Sequence, residues 1–295
     1  MPQTDQPFVA AEIASQPDNW AQAAALAEAP GLPGQGEKVA VIGCGTSWFM
    51  AMIYAALRER SGQGWTDAFT ASEFPAERNY DRVVAISRSG TTTEVADALD
   101  RLPGRTASVA IVGVPDSPIG RGADQLVNLD FVDERSVVQT RFATSTLALL
   151  RASLGEDLGQ AIADCRAALA EPIETAWIEA EQAAFLGRGW TVGFAQEAAL
   201  KMREASLSLV EAHPAMDYRH GPIALAEPGR LVWMFGPAPD GLADQVAATG
   251  ATWINSSLDP MADLVRAQRL AVARSLARGL DPDHPRNLTR SIVLR

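Results

Sequence analysis

Residues 39–57 read VAVIGCGTSWFMAMIYAAL. The opening run Val39-Ala40-Val41-Ile42 is short, apolar and β-branched, which predicts a strand buried on both faces, as in a parallel sheet. Gly43-Cys44-Gly45 breaks the run, Thr46 or Ser47 can cap a helix, and Trp48 to Leu57 has helical apolar spacing. Strand, glycine turn, hydroxyl and helix together aim backbone N–H groups and the positive end of a helix at one point. Such a point suits an anion, most often a phosphate. A glycine turn alone is also an ordinary tight connection in an α/β chain, so this stretch needs support from elsewhere.

A second stretch supplies it. Arg82-Val83-Val84-Ala85-Ile86 is another buried-strand run, and it leads into Ser87-Arg88-Ser89-Gly90-Thr91-Thr92-Thr93-Glu94 and a helical segment. Five hydroxyls, one glycine and one arginine therefore sit at the carboxyl end of a strand, where open α/β sheets bind ligands. A helix cap needs one hydroxyl, not five. Neither stretch is a Walker A loop, because no Gly-Lys-Ser/Thr follows the glycines, and the G-x-G-x-x-G dinucleotide spacing is absent.

The 295 residues suit two α/β domains or one large one, and 47% hydrophobic content supplies a core. No apolar run approaches membrane-spanning length, and residues 1–30 lack a basic-then-apolar signal pattern, so a cytoplasmic protein with no membrane partner is expected. Cys44 and Cys165 make neither a disulfide framework nor a zinc site, and no metal or cofactor is expected. Cys44 reads as a small turn residue rather than a nucleophile. A net charge of −11 argues against nucleic acid. It also means that a phosphorylated ligand is repelled at long range and must be held by local donors.

Along the chain, 7–29 reads as a helix with Glu12, Ile13 and Trp20 on a mixed surface, and 30–36 as a linker. Strand-like runs at Val39, Val83 and Val109-Ala110-Ile111-Val112 precede a candidate fourth at 126–131 and a helix at 141–151. The alanine-rich, acidic stretch 154–181 reads as a helical connector broken near Pro172. Beyond it, Ala183 to Leu186 leads to Gly187-Arg188-Gly189 and a long helix from about Ala195 to Leu209; Leu231 to Phe235 is a strand, and 264–280 a helix. The strand–turn–helix pattern thus occurs twice. The expected organisation is an N-terminal helix and linker over 1–36, a first domain over 37–153, a connector over 154–181, and a second domain with a C-terminal tail over 182–295.

On the helix near Lys201, residues Glu197, Lys201, Glu204 and Ser208 are spaced to share one face. Spacing alone favours a solvated ion-pair face. A carboxylate turned into a pocket could instead move a proton between adjacent carbons of a sugar, with Lys201 tuning it. His213 and His284 each precede a proline and read as loop residues. His220, in Asp217-Tyr218-Arg219-His220-Gly221-Pro222, suits either proton transfer or a structural hydrogen bond.

Taken together, the residues resemble a known family: the isomerase half of glutamine–fructose-6-phosphate aminotransferase (glucosamine-6-phosphate synthase), which is built from two sugar isomerase (SIS) domains. The matching pieces are Cys44-Gly45-Thr46-Ser47, Ala71-Ser72-Glu73-Phe74, Ser87-x-Ser89-Gly90-x-Thr92, Phe185-Leu186-Gly187-Arg188-Gly189, Glu197-x-Ala199-Leu200-Lys201-x-x-Glu204-x-Ser206, His220-Gly221-Pro222 and Pro285-Arg286-Asn287-Leu288. They keep the family's order across nearly the whole chain. The resemblance implies two SIS domains, each a parallel sheet flanked by helices in a three-layer α/β fold. It implies that Cys44, Gly45, Thr46 and Ser47, with Ser87, Arg88, Ser89 and Thr92, hold a sugar 6-phosphate, and that Val137 and Gln139 line the sugar site. Glu204 matches the base that shuttles a proton between C1 and C2. His220 matches a ring-opening histidine that reaches a neighbouring subunit, which implies a homodimer.

The chain departs from the family pattern in four ways. The chain holds no glutaminase domain. Arg88 replaces a glutamine, adding a charge able to grip phosphate or a carboxylate. Arg290, in Asn287-Leu288-Thr289-Arg290-Ser291, stands where the family has a Schiff-base lysine, and a guanidinium cannot form that imine. The chain between Leu231 and Leu264 is also short, which implies a strand fewer in the second sheet. The expected activity is an aldose–ketose isomerase coupled to deamination of an amino-sugar 6-phosphate. The alternatives are a fructosyl-amine 6-phosphate deglycase and a non-catalytic sugar-phosphate sensor.

Overall fold

The computed structural model describes residues 6–294. Its helices and strands run α1 (Phe8–Ala14), α2 (Gln16–Ala24), β1 (Val39–Gly43), α3 (Thr46–Arg60), β2 (Thr66–Thr70), β3 (Arg82–Ser87), α4 (Thr93–Asp100), β4 (Ala107–Val112), α5 (Pro118–Gly122), β5 (Gln125–Asn128) and α6 (Arg141–Ser153). They continue with α7 (Gly159–Ala170), α8 (Thr175–Glu179), β6 (Gln182–Gly187), α9 (Val192–Ser206), β7 (Val210–Pro214), β8 (Arg230–Met234), α10 (Leu242–Ala247), β9 (Thr252–Asn255) and α11 (Pro260–Ala277). The fold is mixed α/β, with two all-parallel sheets flanked by helices.

The chain divides into two compact units. One holds residues 18–134, 141–158 and 289–294; the other holds residues 6–17, 135–140 and 159–288. In the first-sheet unit the strand order is β2-β1-β3-β4-β5. Every residue of β1 is buried, so the apolar run fills both faces. Ala40, Ile42, Val83, Ala85, Ala110 and Val112 form one face, with Val95 and Ala98 of α4 and Ile119 of α5 packed on it. With the central strands β1, β3 and β4 buried, the sheet offers a ligand its loops rather than its faces.

In the second-sheet unit the order is β7-β6-β8-β9, repeating the first without a fifth strand. Ala184, Leu186, Val232 and Met234 pack with Leu242 and Val246 of α10 on one face. At the other, Trp177, Phe185, Trp233 and Phe235 form a chain of ring contacts. Helix α11 starts where Asp259 accepts the Met261 N–H at 2.9 Å and Pro260 occupies the first position.

Both sheets use a glycine at the end of the strand that leads into the main helix. A Cβ on Gly43 would lie 2.7 Å from Ser47 Cβ, and one on Gly187 would lie 2.3 Å from the Thr191 carbonyl oxygen. The helix presses onto the strand end at the same offset of four residues in each case. Only glycine permits that approach.

Several elements differ from the sequence expectation. The single N-terminal helix is two, and neither Trp20 nor Glu12 lies on a mixed surface. Trp20 is buried with its indole N–H donating to Thr144 Oγ1 at 2.9 Å. Glu12 is buried because its carboxylate accepts from the Arg135 and Ser136 N–H groups and the Ser136 hydroxyl. The strand expected over 126–131 is β5, ending at Asn128, followed by a 3-10 turn over Asp130–Val132. Strands β2 and β7 have no counterpart in the apolar pattern; both lie at a sheet edge and are only half-buried. Residues 154–181 yield α7 and α8, with Pro172 between them, and α7 packs on α11. Helix α9 lies about three residues earlier than expected, because Leu207 takes the left-handed conformation and ends it at Ser206.

Candidate active site

The two loops singled out in the sequence emerge from neighbouring strands of the first-sheet unit, at their carboxyl ends. Gly45 precedes the first turn of α3, and Thr46 and Ser47 are buried there. The Ser47 N–H donates to the Cys44 carbonyl at 3.2 Å. Burial pushes the Cys44 thiol up, so it stays protonated at neutral pH, as suits a small turn residue.

The second loop is a network of hydroxyls. Ser87 Oγ accepts the Gly90 N–H at 3.2 Å and lies 3.5 Å from Thr92 Oγ1. Ser89 Oγ accepts the Thr91 N–H at 3.2 Å and the Thr91 hydroxyl at 3.1 Å. Ser87, Arg88 and Ser89 are all buried. Arg88, expected to grip phosphate or a carboxylate, sits on a carboxylate of the chain itself. Its Nη1 lies 3.3 Å from the carboxylate of buried Glu134, and its Nη2 donates to the Arg290 carbonyl at 3.1 Å. A buried guanidinium needs such a counter-charge. The Arg290 guanidinium in turn binds the Asp133 carboxylate and the Glu134 carbonyl. The loop, Arg290 and the acidic pair Asp133-Glu134 therefore form one connected polar cluster. Asp133, Glu134 and Ser291 carry no local signal in the sequence and are evident only from these long-range contacts.

The second-sheet unit holds a different arrangement. On α9, Lys201 is 1% exposed, with its ammonium 3.5 Å from Glu197 and 2.5 Å from Glu204. Glu197 is fully buried, whereas the Glu204 side chain keeps 20% of its surface open. The triad is thus not the solvated ion-pair face that spacing favours. It is a buried pair with one carboxylate left at the surface, held by a cation, where it can exchange a proton with a bound molecule. Ser208 does not share this face: it lies beyond the helix end, 2.9 Å from Ser206 Oγ, and accepts from Arg278 at 3.1 Å. Of the other expected residues, the Val137 N–H donates to the Asp283 carbonyl at 2.9 Å. Gln139 Oε1 is buried without a hydrogen-bond partner among the described residues. His220 is exposed, at the end of a 3-10 turn over Asp217–His220.

A covered parallel sheet with hydroxyl-rich loops after β1 and β3 has a match among known families. Residues 35–154 match the family model of the SIS domain. The chain is also homologous to part of the glutamine–fructose-6-phosphate aminotransferase [isomerizing] of Neisseria meningitidis serogroup B, at 28% identity over 87% of this chain and 51% of that protein. The chain spans about half the length of the curated relatives it matches. Among solved structures, glucosamine-6-phosphate deaminase from Thermotoga maritima superposes with a TM-score of 0.79 at 25% identity, covering 97% of this chain and 100% of that one. Tagatose-6-phosphate ketose/aldose isomerase from Escherichia coli shares the fold, with a TM-score of 0.78 at 20% identity over 95% and 97% of the two chains. The family model stops at residue 154, so the SIS match covers the first sheet and not the second. Among the described residues, no helix is long and apolar enough to cross a membrane.

Proposed function

We propose that the protein is a sugar-phosphate isomerase that deaminates an amino-sugar 6-phosphate, and that Glu204 is its base. The observation that carries this reading is the α9 triad, in which two buried charges present a single accessible carboxylate. In the open-chain sugar, Glu204 removes the C2 proton to give an enolamine and returns a proton to C1. Water then hydrolyses the C2 imine, releasing ammonia and a ketose 6-phosphate. No lysine imine is needed, which suits Arg290. The 6-phosphate is assigned to the loop hydroxyls of Ser47, Ser87, Ser89 and Thr92 and to the turn at Cys44, Gly45 and Thr46. The same strand order and the same glycine-to-helix approach support reading residues 182–295 as a second SIS domain, the full double-SIS organisation. His220, exposed on its turn, is assigned to ring opening in a neighbouring subunit of a homodimer.

Ammonia and ketose formation from a panel of amino-sugar 6-phosphates tests the reaction; binding without turnover of any of them contradicts it. Mixing Glu204→Gln with His220→Ala subunits tests the shared site. Activity should return in mixed dimers, and a monomer by light scattering would remove that assignment. A second reading, a non-catalytic sugar-phosphate sensor, draws support from Arg290, whose guanidinium is committed to Asp133 and Glu134.

A further inference from the structure

We propose that the C-terminal segment 289–294 is a displaceable cap on the hydroxyl loop, with Ser291 standing where a phosphate oxygen binds. This rests on the reading of that loop as the phosphate site.

Three contacts of the tail converge on the loop's donors. Ser89 Oγ donates to Ser291 Oγ at 3.1 Å, Thr91 Oγ1 donates to Ser89 Oγ at 3.1 Å, and Ser291 and Thr91 lie 2.9 Å apart. Each hydroxyl has one proton. With Ser89 donating to Ser291 and Thr91 to Ser89, the last bond closes the ring from Ser291 to Thr91. All three protons are then consumed internally, and a sugar-phosphate dianion, whose phosphoryl oxygens can only accept, finds no hydroxyl donor there. The second contact is backbone: the Thr93 N–H, first of α4, donates to the Ile292 carbonyl at 3.2 Å. That N–H is one of the orphan donors a helix start offers to an anion. The third is Arg88 Nη2 donating to the Arg290 carbonyl. A hydroxyl and two carbonyls of the tail thus take a hydroxyl pair, a helix N–H and a guanidinium N–H, the donor types a phosphate uses.

The tail is held by polar contacts with little burial. Ile292, Val293 and Leu294 are half or more exposed. Beyond the loop contacts, its ties include the bonds of the Arg290 guanidinium to the Asp133 carboxylate and the Glu134 carbonyl, and the Leu294 N–H to Thr93 Oγ1, 2.9 Å. A segment with exposed apolar residues and a few hydrogen bonds opens at low free-energy cost. Arg88 and Arg290, the two arginines that depart from the family pattern, are then positioning residues that fasten the cap.

The test is calorimetric titration of the full chain and of Ser291→Ala with inorganic phosphate and with fructose 6-phosphate, beside hydrogen exchange of the full chain with and without ligand. Removing the Ser291 hydroxyl frees the Ser89 proton, so Ser291→Ala should bind both ligands about 3- to 10-fold more tightly, as for one competing hydrogen bond. Ligand should protect residues 88–93 while exchange of residues 290–294 speeds up. Unchanged or weaker affinity in Ser291→Ala, or protection of loop and tail together, would overturn the cap and leave the phosphate site standing. Failure of both proteins to bind either ligand would overturn the site and the cap with it.

Discussion

Strands β1 and β6 each end in a glycine onto which the next helix presses four residues later, yet the two helices carry opposite chemistry. Helix α3 brings uncharged hydroxyls, Thr46 and Ser47, to its first turn and is otherwise largely apolar. Helix α9 keeps its polar residues one to three turns further in, as Glu197, Lys201 and Glu204. Hydroxyls and N–H groups at a helix start can bind an anion without titrating. A carboxylate beside an ammonium can accept and return a proton. The shared plan fixes where each group stands, and the residue type decides which chemistry it can offer.

The contrast can be broken most severely at Lys201. Replacing it with Met removes the ammonium 3.5 Å from buried Glu197 and should destabilise the protein by about 3–5 kcal/mol. Urea unfolding measures this. The double variant Glu197→Leu with Lys201→Met should recover much of the loss, because an apolar pair needs no compensation. A loss below ~1 kcal/mol in the single variant would mean that the triad is solvated after all. In the first-sheet unit the Thr92 hydroxyl faces another uncharged hydroxyl, Ser87 Oγ at 3.5 Å. Thr92→Ala should therefore leave stability nearly unchanged while weakening sugar-phosphate affinity by about 1–3 kcal/mol, as for a lost bond to a charged group. Calorimetry with fructose 6-phosphate reads this, and undiminished affinity would remove Thr92 from the site.

The smallest effect concerns an ion pair of the first-sheet unit. Glu37 binds Arg82 through both oxygens, each at 2.9 Å. The Arg82 hydrogen bonds hold its carboxyl below the ordinary value of 4.5. A carboxylate with a depressed folded-state value stabilises the fold above its unfolded value. That contribution is lost as pH falls from 4.5 through the lower folded value. The pair is partly exposed, so the change should be no more than ~1 kcal/mol. Glu37→Gln should flatten the pH dependence of stability in that window, and an identical pH profile in the variant would contradict the assignment.

The sequence was readable where burial is two-sided. The strands β1, β3, β4 and β8 are apolar runs because both their faces are covered, whereas β2, reading Thr66-Asp67-Ala68-Phe69-Thr70, is a half-exposed edge with no such run. The hydroxyl loop stood out because five hydroxyls exceed what a cap requires. Its partners did not, because Glu134 and Ser291 lie 46 and 202 positions from the residues they bind. Spacing placed Glu197, Lys201 and Glu204 on one face but could not give its burial, which depends on neighbours such as α11, brought in by the fold. Burial is what turns a surface ion pair into a candidate base.

The central claim, that Glu204 moves a proton on a sugar phosphate, is tested most directly by hydrogen exchange at the sugar itself. Glucosamine 6-phosphate and fructose 6-phosphate would be incubated with the protein in deuterated water and monitored by NMR at C1 and C2. The wild-type protein should introduce deuterium at one of these carbons. Glu204→Gln should still bind the sugar phosphate while exchange falls on the order of 10²–10⁴-fold, the loss of a general base. Exchange surviving in Glu204→Gln, or a wild-type protein that binds these sugars and exchanges nothing, would contradict it.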